Sequence, residues 1–301
     1  HERSRRQRQM CIRDRPMTAD FGFTPDRRRR IATALRFDGV PKIMGIVNAT
    51  DDSFFEGSRS VGEAAVRRGL AMWDAGATWV DVGGESTRPG AEPVGVATEK
   101  QRVVPVIEGL RAARPKGLIS VDTRHAEVAH AALLAGADLV NDVSGLREPA
   151  MVDLVLKAGC GVCIMHMQGE PGSMQTNPTY DDVVHEVAGM LQKVKQHLVK
   201  EGHLEDLICV DPGIGFGKTQ DHNLALLRSG REPLASDGPL LWGVSRKSVV
   251  GHLTGHANPE DRLAGTLGLA ALAHRMQIDL VRVHDVQEHV DVFASLRLGS
   301  S

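Results

Sequence analysis

The sequence predicts a single (β/α)8 (TIM) barrel, an α/β fold, behind a basic N-terminal extension. Three observations carry that expectation. Short apolar runs alternate with amphipathic helical segments eight times over roughly 260 of the 301 residues. Nearly every apolar run ends in a side chain that can hydrogen-bond. The turns Ala75-Gly76-Ala77 and Ala135-Gly136-Ala137 repeat as equivalent helix-to-strand connections. A doubly wound open sheet is the alternative built on the same alternation.

Taken in order, the first strand is Lys42 to Val47 and ends at Asn48. A long polar loop, 49–57, precedes a helix from about Val61 to Ala75, which Gly76 closes. The second strand, Trp79 to Val82, empties through Gly83 and Gly84 into a loop bearing Glu85, Ser86, Thr87 and Arg88. Helical spacing runs from Glu99 to Arg114. The third strand ends at Asp122, and the fourth runs into Asn141 and Asp142. The fifth, Gly161 to Met165, ends at His166, and a long amphipathic helix spans Asp181 to about Glu201. The sixth strand ends at Asp211-Pro212-Gly213, and the seventh, Leu240 to Val244, ends at Ser245-Arg246-Lys247. The eighth, Leu280 to Val283, contains Arg282 and is followed by His284 and a last helix.

Composition narrows the function classes. Apolar residues at 42% and charged residues at 25% fit a water-exposed globular protein with a sizeable core. No run approaches the ~18 apolar residues that span a bilayer. Residues 1–30 hold ten arginines against four acids, which leaves the remainder near −8 and excludes a broad basic face for nucleic acid. Residues 1–35 are expected to be a disordered extension, with Met17 as a candidate start, and residues 36–301 to form the barrel. Cys160 and Cys163 form a C-x-x-C, but an extended backbone holds their Cα atoms about 10 Å apart, too far for a disulfide. With Cys11 and Cys209 they read as free thiols of a reducing compartment.

If the barrel closes, the strand ends ring one mouth, which is where such barrels place their sites. Asp122, Asn141 and Asp211 offer acceptors to a flat heterocycle bearing N–H groups, and a carboxylate can take two parallel hydrogen bonds from an amidine-like edge. Arg282 and His284, two apart on one strand, point to one face and, with Asn48 and Arg88, suit a phosphorylated group with Mg²⁺. Gly213-Ile214-Gly215-Phe216-Gly217-Lys218-Thr219 resembles a phosphate-binding loop, but Pro212 stands at the required first glycine. His185, His197 and His203 are expected to be solvated.

Seven segments occur in the order found in dihydropteroate synthases: Met44–Thr50, Gly84–Gly90, Ser120–Thr123, Asn141–Gly145, Asp211–Phe216, Ser245–Ser248 and Arg282–Asp285. The chain resembles that family from about Ile43 to its last helix. The resemblance implies a cytoplasmic homodimeric transferase of folate biosynthesis and a sulfonamide target. It would join 4-aminobenzoate to 6-hydroxymethyl-7,8-dihydropterin diphosphate, without nucleic-acid or membrane partners. It further implies that Asp122, Asn141, Asp211 and Lys247 hold the pterin, with Met165 and Phe216 among the substrate contacts. Arg282, His284, Asn48 and Thr87 would hold the diphosphate, with Mg²⁺ near Asn48, while Arg88 acts in catalysis. Ser245, placed at a helix start, would receive the aminobenzoate carboxylate. The loops 49–57 and 85–90 would close over the site. The first loop departs from the family pattern, with Asp51 for a proline, Phe55 for a serine and Glu56 for an aspartate. The rival readings are a methyltetrahydrofolate–corrinoid methyltransferase and a catalytically silent binding subunit.

Overall fold

In the computed structural model, residues 20–49, 58–85, 94–170, 172–232, 234 and 238–299 are described. The eight apolar runs form eight parallel strands: β1 (Lys42–Asn48), β2 (Trp79–Gly83), β3 (Leu118–Asp122), β4 (Leu139–Asp142), β5 (Gly161–Met165), β6 (Ile208–Asp211), β7 (Leu241–Trp242) and β8 (Leu280–Val283). They pair in the order β6-β5-β4-β3-β2-β1-β8-β7. The ring closes between β6 and β7 through a single parallel bridge, Val210 to Leu240, and the Val210 N–H donating to Pro239 O at 3.0 Å. β7 has two residues where five were expected, because the chain leaves the sheet at Gly243.

Among the described residues, ten α-helices accompany the strands: α1 (Pro25–Ala34), α2 (Ser58–Asp74), α3 (Val96–Ala113), α4 (Ala126–Ala135), α5 (Pro149–Ala158), α6 (Val183–Lys200), α7 (Gln220–Ser229), α8 (Ser248–Thr254), α9 (Leu263–Arg275) and α10 (Val286–Leu296). Their apolar faces bury against the sheet and form one continuous core with it. The two Ala-Gly-Ala turns are equivalent as expected. Gly76 and Gly136 take φ of +107° and +115°, and the N–H groups of Ala77 and Ala137 reach back to Met72 O and Ala132 O at 2.9 Å. None of the described helices is long and apolar enough to cross a membrane.

The expected boundary at residue 35 is corrected. Residues 20–35 belong to the folded body, because α1 is a well-specified helix. Thr24 caps it by accepting from the Arg27 N–H at 3.3 Å, Pro25 occupies its first turn, and Asp26 complements its dipole. Ile31, Ala34 and Leu35 recur at helical spacing and are buried. The Ala34 carbonyl accepts from Trp79 Nε1 at 2.9 Å, which ties the helix across the N-terminal end of the barrel. The arginine run, expected in a disordered extension, supplies struts instead. Arg27 stacks on Phe23 and donates to Asp138 at 2.8 Å, and Arg28 donates to Gly159 O at 3.1 Å. The rest of the expected extension, residues 1–19, lies outside the described residues.

Cys160, Cys163 and Cys209 are buried free thiols, as the extended C-x-x-C geometry requires. His185 and His197 are exposed on α6, but His203 is not solvated. Gly202 turns the chain after the helix at φ +97°, and His203 folds back with its N–H on Leu198 O at 2.9 Å, burying its ring.

Candidate active site

Strand register decides which strand-end side chains can meet. Residues paired across neighbouring parallel strands point to the same face, so Gly83, Asp122, Asn141 and Cys163 form one row, and Met165 faces Asp211 in the next. The opposite face of β1 is fixed by Gly45, where a Cβ would lie 2.7 Å from Met72 Sδ on the helical layer. The row containing Asp122 therefore faces the barrel interior.

Arg282 enters that interior from β8 and joins two carboxylates. Its Nε donates to Asp81 Oδ2 and its Nη2 to Asp122 Oδ2, each at 2.6 Å. Asn141 Nδ2 donates to the same Asp81 oxygen at 3.2 Å. Burial pushes the Asp122 carboxyl up to about 7 against the pull of Arg282, and Asp81 adds like-charge repulsion. Burial also opposes the charge of Arg282, but Asp81 and Asp122 together push it up. Asp142, next to Asn141, serves the turn instead: its Oδ1 accepts from Ser144 N and Oγ at 2.7 and 2.6 Å.

Asp211 and Lys247 form the second polar group. Asp211 Oδ1 accepts from the Gly213 N–H at 2.7 Å, and burial holds its carboxyl above the usual range despite Lys247 nearby. Lys247 Nζ donates to Ile214 O at 2.6 Å and lies 4.5 Å from the centre of the Phe216 ring. Burial lowers the Lys247 ammonium to about 8, with Asp211 opposing. A Cβ at Gly243 would stand 3.6 Å from Asp211 Oδ2 and 3.7 Å from Lys247 Nζ, so anything larger would fill the space between them. Met165 packs with Val143, Met167 and Met174, and Phe216 covers this cluster as an apolar wall beside Asp211.

The glycine-rich segment after β6 is a packed turn. At Gly213, φ +66°, a Cβ would meet His166 O at 1.9 Å, and at Gly217, φ +58°, it would meet Gln168 O at 2.4 Å. Lys218 is buried, and its Nζ bonds Phe216 O at 2.9 Å, His166 Nδ1 at 3.0 Å and His166 O at 3.3 Å. Burial lowers Lys218 to about 7 and His166 to about 3. His166 is thus turned to Lys218. Thr219, the other half of the false motif, caps α7 through a reciprocal pair with His222.

Ser245 Oγ meets His284 Nδ1 at 3.0 Å. The premise that Ser245 starts a helix is corrected. The first residue of α8 is Ser248, which is exposed, and Lys247 is its N-cap. Between them Arg246 holds φ +58°, fixed by a two-pronged ion pair to Asp285 at 2.9 and 2.5 Å. Arg282 and His284 do not act as one face: the guanidinium runs to β2 and β3, while the imidazole runs to the β7 exit. Asn48 stands exposed at the end of β1, paired in register with Gly83. Thr87, Arg88 and most of both expected closing loops lie outside the described residues.

Sequence reasoning missed Asp81, a buried acid inside the apolar run Trp79–Val82. Its in-strand position two residues before Gly83, on the interior face, was the available signal. Among the described residues, Glu85, Glu99 and His125 bring metal-ligand atoms within 4.8 Å of one another. Glu85 is already paired with Arg124 at 3.1 Å and with the Val94 N–H at 3.1 Å, and burial pushes Glu99 up to about 7. A guanidinium in that position competes with a cation.

The chain matches the family described as pterin binding enzyme over residues 44–284. It is 43% identical to the dihydropteroate synthase of Escherichia coli (strain K12) over 252 residues, which is 83% of this chain and 89% of that one. A dihydropteroate synthase of Xanthomonas albilineans, solved with 4-aminobenzoic acid, superposes with a TM-score of 0.80 at 41% identity, covering 87% of this chain and 94% of that one. The Burkholderia cenocepacia enzyme, complexed with 7,8-dihydropteroate, gives 0.77 at 41% identity, covering 86% and 91%. The chain therefore belongs to the dihydropteroate synthase family of pterin-binding enzymes.

Proposed function

We propose that the protein is a transferase joining 6-hydroxymethyl-7,8-dihydropterin diphosphate to 4-aminobenzoate, releasing diphosphate and forming 7,8-dihydropteroate for folate synthesis. The observation that carries this reading is the interior convergence of Asp122, Asn141, Asp211 and Lys247 in a chain so similar to enzymes solved with 4-aminobenzoic acid and 7,8-dihydropteroate. Three acceptors and one ammonium match a heterocycle whose edge is rich in N–H groups and carries one exocyclic carbonyl oxygen. Met165 and Phe216 supply the apolar contact for its faces.

Carbon–oxygen cleavage at the pterin methylene is the hard step, because charge develops on the departing diphosphate. His284, Asn48, Thr87 and Arg88 receive that leaving group in this reading. The carboxylate of Asp122 offsets positive charge on the pterin, and the aniline nitrogen then forms the new carbon–nitrogen bond and loses a proton. The 4-aminobenzoate carboxylate, expected at a hydroxyl that opens a helix, falls to Ser248, the first residue of α8, in place of Ser245. The amide oxygen of Asn48 is a hard donor that fits Mg²⁺, an ion usually held by one or two protein oxygens, several waters and substrate phosphates. When bound, Mg²⁺ neutralises the diphosphate. A cytoplasmic homodimer belongs to the same reading, and sedimentation of a single monomeric species would remove that part.

The deciding assay supplies both substrates and Mg²⁺ to the purified protein and follows dihydropteroate beside Asp211→Asn. Turnover that collapses in the variant supports the reaction and the pterin anchor together. Turnover that survives it discards the anchor. Absence of turnover in the unaltered protein overturns the reading.

A further inference from the structure

Asp81 is fully buried in the middle of β2 and does two things with one oxygen. Its Oδ2 accepts from Arg282 Nε at 2.6 Å and from Asn141 Nδ2 at 3.2 Å. The second bond fixes a polarity. An asparagine amide can be turned either way, but a carboxylate oxygen that already accepts from a permanently charged guanidinium can only accept again. Asn141 must therefore give its amino group to Asp81, which turns its carbonyl oxygen away as an acceptor. The first bond fixes a place. With Nε on Asp81, the guanidinium lies across to Asp122 and occupies that residue's Oδ2.

Asp81 Oδ1, by contrast, is buried with no hydrogen-bond partner among the described residues, as is Ser120 Oγ beside it in register. A buried acceptor left idle is costly, because it has given up its water without a replacement donor. Asp138, at the other end of the barrel, shows that this chain can bury a carboxylate with both oxygens satisfied. The uneven use of Asp81 points to a demand on its Oδ2 alone.

We propose that Asp81 is a positioning residue for the pterin site, setting the donor–acceptor polarity of Asn141 and the seat of the Arg282 guanidinium. The proposal rests on the pterin-binding reading given above. Through these two neighbours Asp81 keeps the pocket floor a row of acceptors for the ring N–H groups, without touching the substrate. It predicts a defect confined to one substrate.

The test measures kcat and both KM values, with the thermal midpoint alongside, for Asp81→Ala, Asp81→Asn, Asn141→Asp and the double variant Asp81→Asn/Asn141→Asp. Asp81→Ala should raise KM for the pterin diphosphate about tenfold, equivalent to ~1.4 kcal/mol, and leave KM for 4-aminobenzoate within twofold. Asp81→Asn should do less harm, because an amide oxygen can still accept from both partners. Asn141→Asp sets two carboxylates against each other and should lose pterin affinity. The double variant restores one donor facing one acceptor, with the roles exchanged, and should recover much of that loss.

Two results would overturn the proposal. One is a change in thermal midpoint with both KM values unmoved, or both raised alike. The other is a double variant no better than Asn141→Asp alone, which needs no fold-threatening deletion. Failure of the pterin reading itself is separate: the unaltered protein would then neither bind nor turn over the pterin diphosphate.

Discussion

At the N-terminal end of the barrel, Asp138 is held by Arg27 at 2.8 Å on Oδ1, and by Arg111 at 2.6 Å and the Ile119 N–H at 2.9 Å on Oδ2. At the C-terminal end, Arg282 is shared between Asp81 and Asp122, and one oxygen of Asp81 has no partner among the described residues. The ingredients are the same and the stoichiometry is reversed. Below, two arginines surround one carboxylate, and their remaining N–H groups go to the Phe21, Gly136, Ala137, Pro115 and Gly117 carbonyls. Above, one arginine serves two carboxylates, which leaves the group net negative and short of donors. A network spent entirely on the fold holds a structure together, whereas one with fewer donors than acceptors and a partly exposed Asp122 can take N–H groups from a ligand.

The sharpest way to break this contrast is to delete one carboxylate at each end. Asp122→Ala should cut kcat/KM for the pterin diphosphate about 100-fold, ~2.7 kcal/mol of transition-state stabilisation. It should leave the thermal midpoint close to that of the unaltered protein, since deletion removes a like-charge repulsion as well as an ion pair. Steady-state kinetics beside calorimetry decides it. Asp138→Ala should do the reverse. Stranding Arg27 and Arg111 should cost about 3 kcal/mol, lowering the thermal midpoint by several degrees, with kcat/KM per folded molecule unchanged.

A milder probe is pH. As pH falls through about 7 Asp122 takes up a proton, and as it rises through about 8 Lys247 loses one. Pterin capture should therefore be greatest in a narrow band between those limbs, whose apparent values belong to the coupled group. The pH dependence of kcat/KM should keep this band in Asp138→Ala and lose its acid limb in Asp122→Ala. The smallest effect should come from Trp79→Phe, which removes the bond to Ala34 O. The expected loss is about 1 kcal/mol, read by denaturant titration, without kinetic change.

Much of this molecule is legible from the chain, and the illegible parts share a cause. The eight strands and the side chains at their ends follow from local pattern: apolar runs, glycine exits and polar termini are all neighbours in sequence. Asp122, Asn141, Asp211 and Lys247 converge as the closed barrel requires. What local pattern does not carry is pairing across it. Asp81 looks like an interruption of a strand until Arg282, 201 positions later, is seen beside it. Arg27 looks like one charge in a run of four until Asp138 is seen. Ser245 stays at the strand exit while Ser248 opens α8, because the chain turns between them at Arg246, whose guanidinium pairs with Asp285. α1 is the exception: its cap, its proline and its apolar spacing were local, and the surrounding arginines concealed them.

The weak closure between β6 and β7 has a consequence for motion. A cylinder fastened by one bridge along one seam opens there first, as a split ring does, and the amide protons of Val210 and its neighbours should exchange with solvent ahead of those in β2 and β3. Asp211 sits on one lip of that seam and Lys247 beyond the other. A pterin gripped by both, as the proposed function has it, would be a clasp across the gap. Its binding should slow exchange at Val210 and Leu240 far more than at the already well-paired strands opposite, so that substrate completes the hoop that the chain leaves loosely tied.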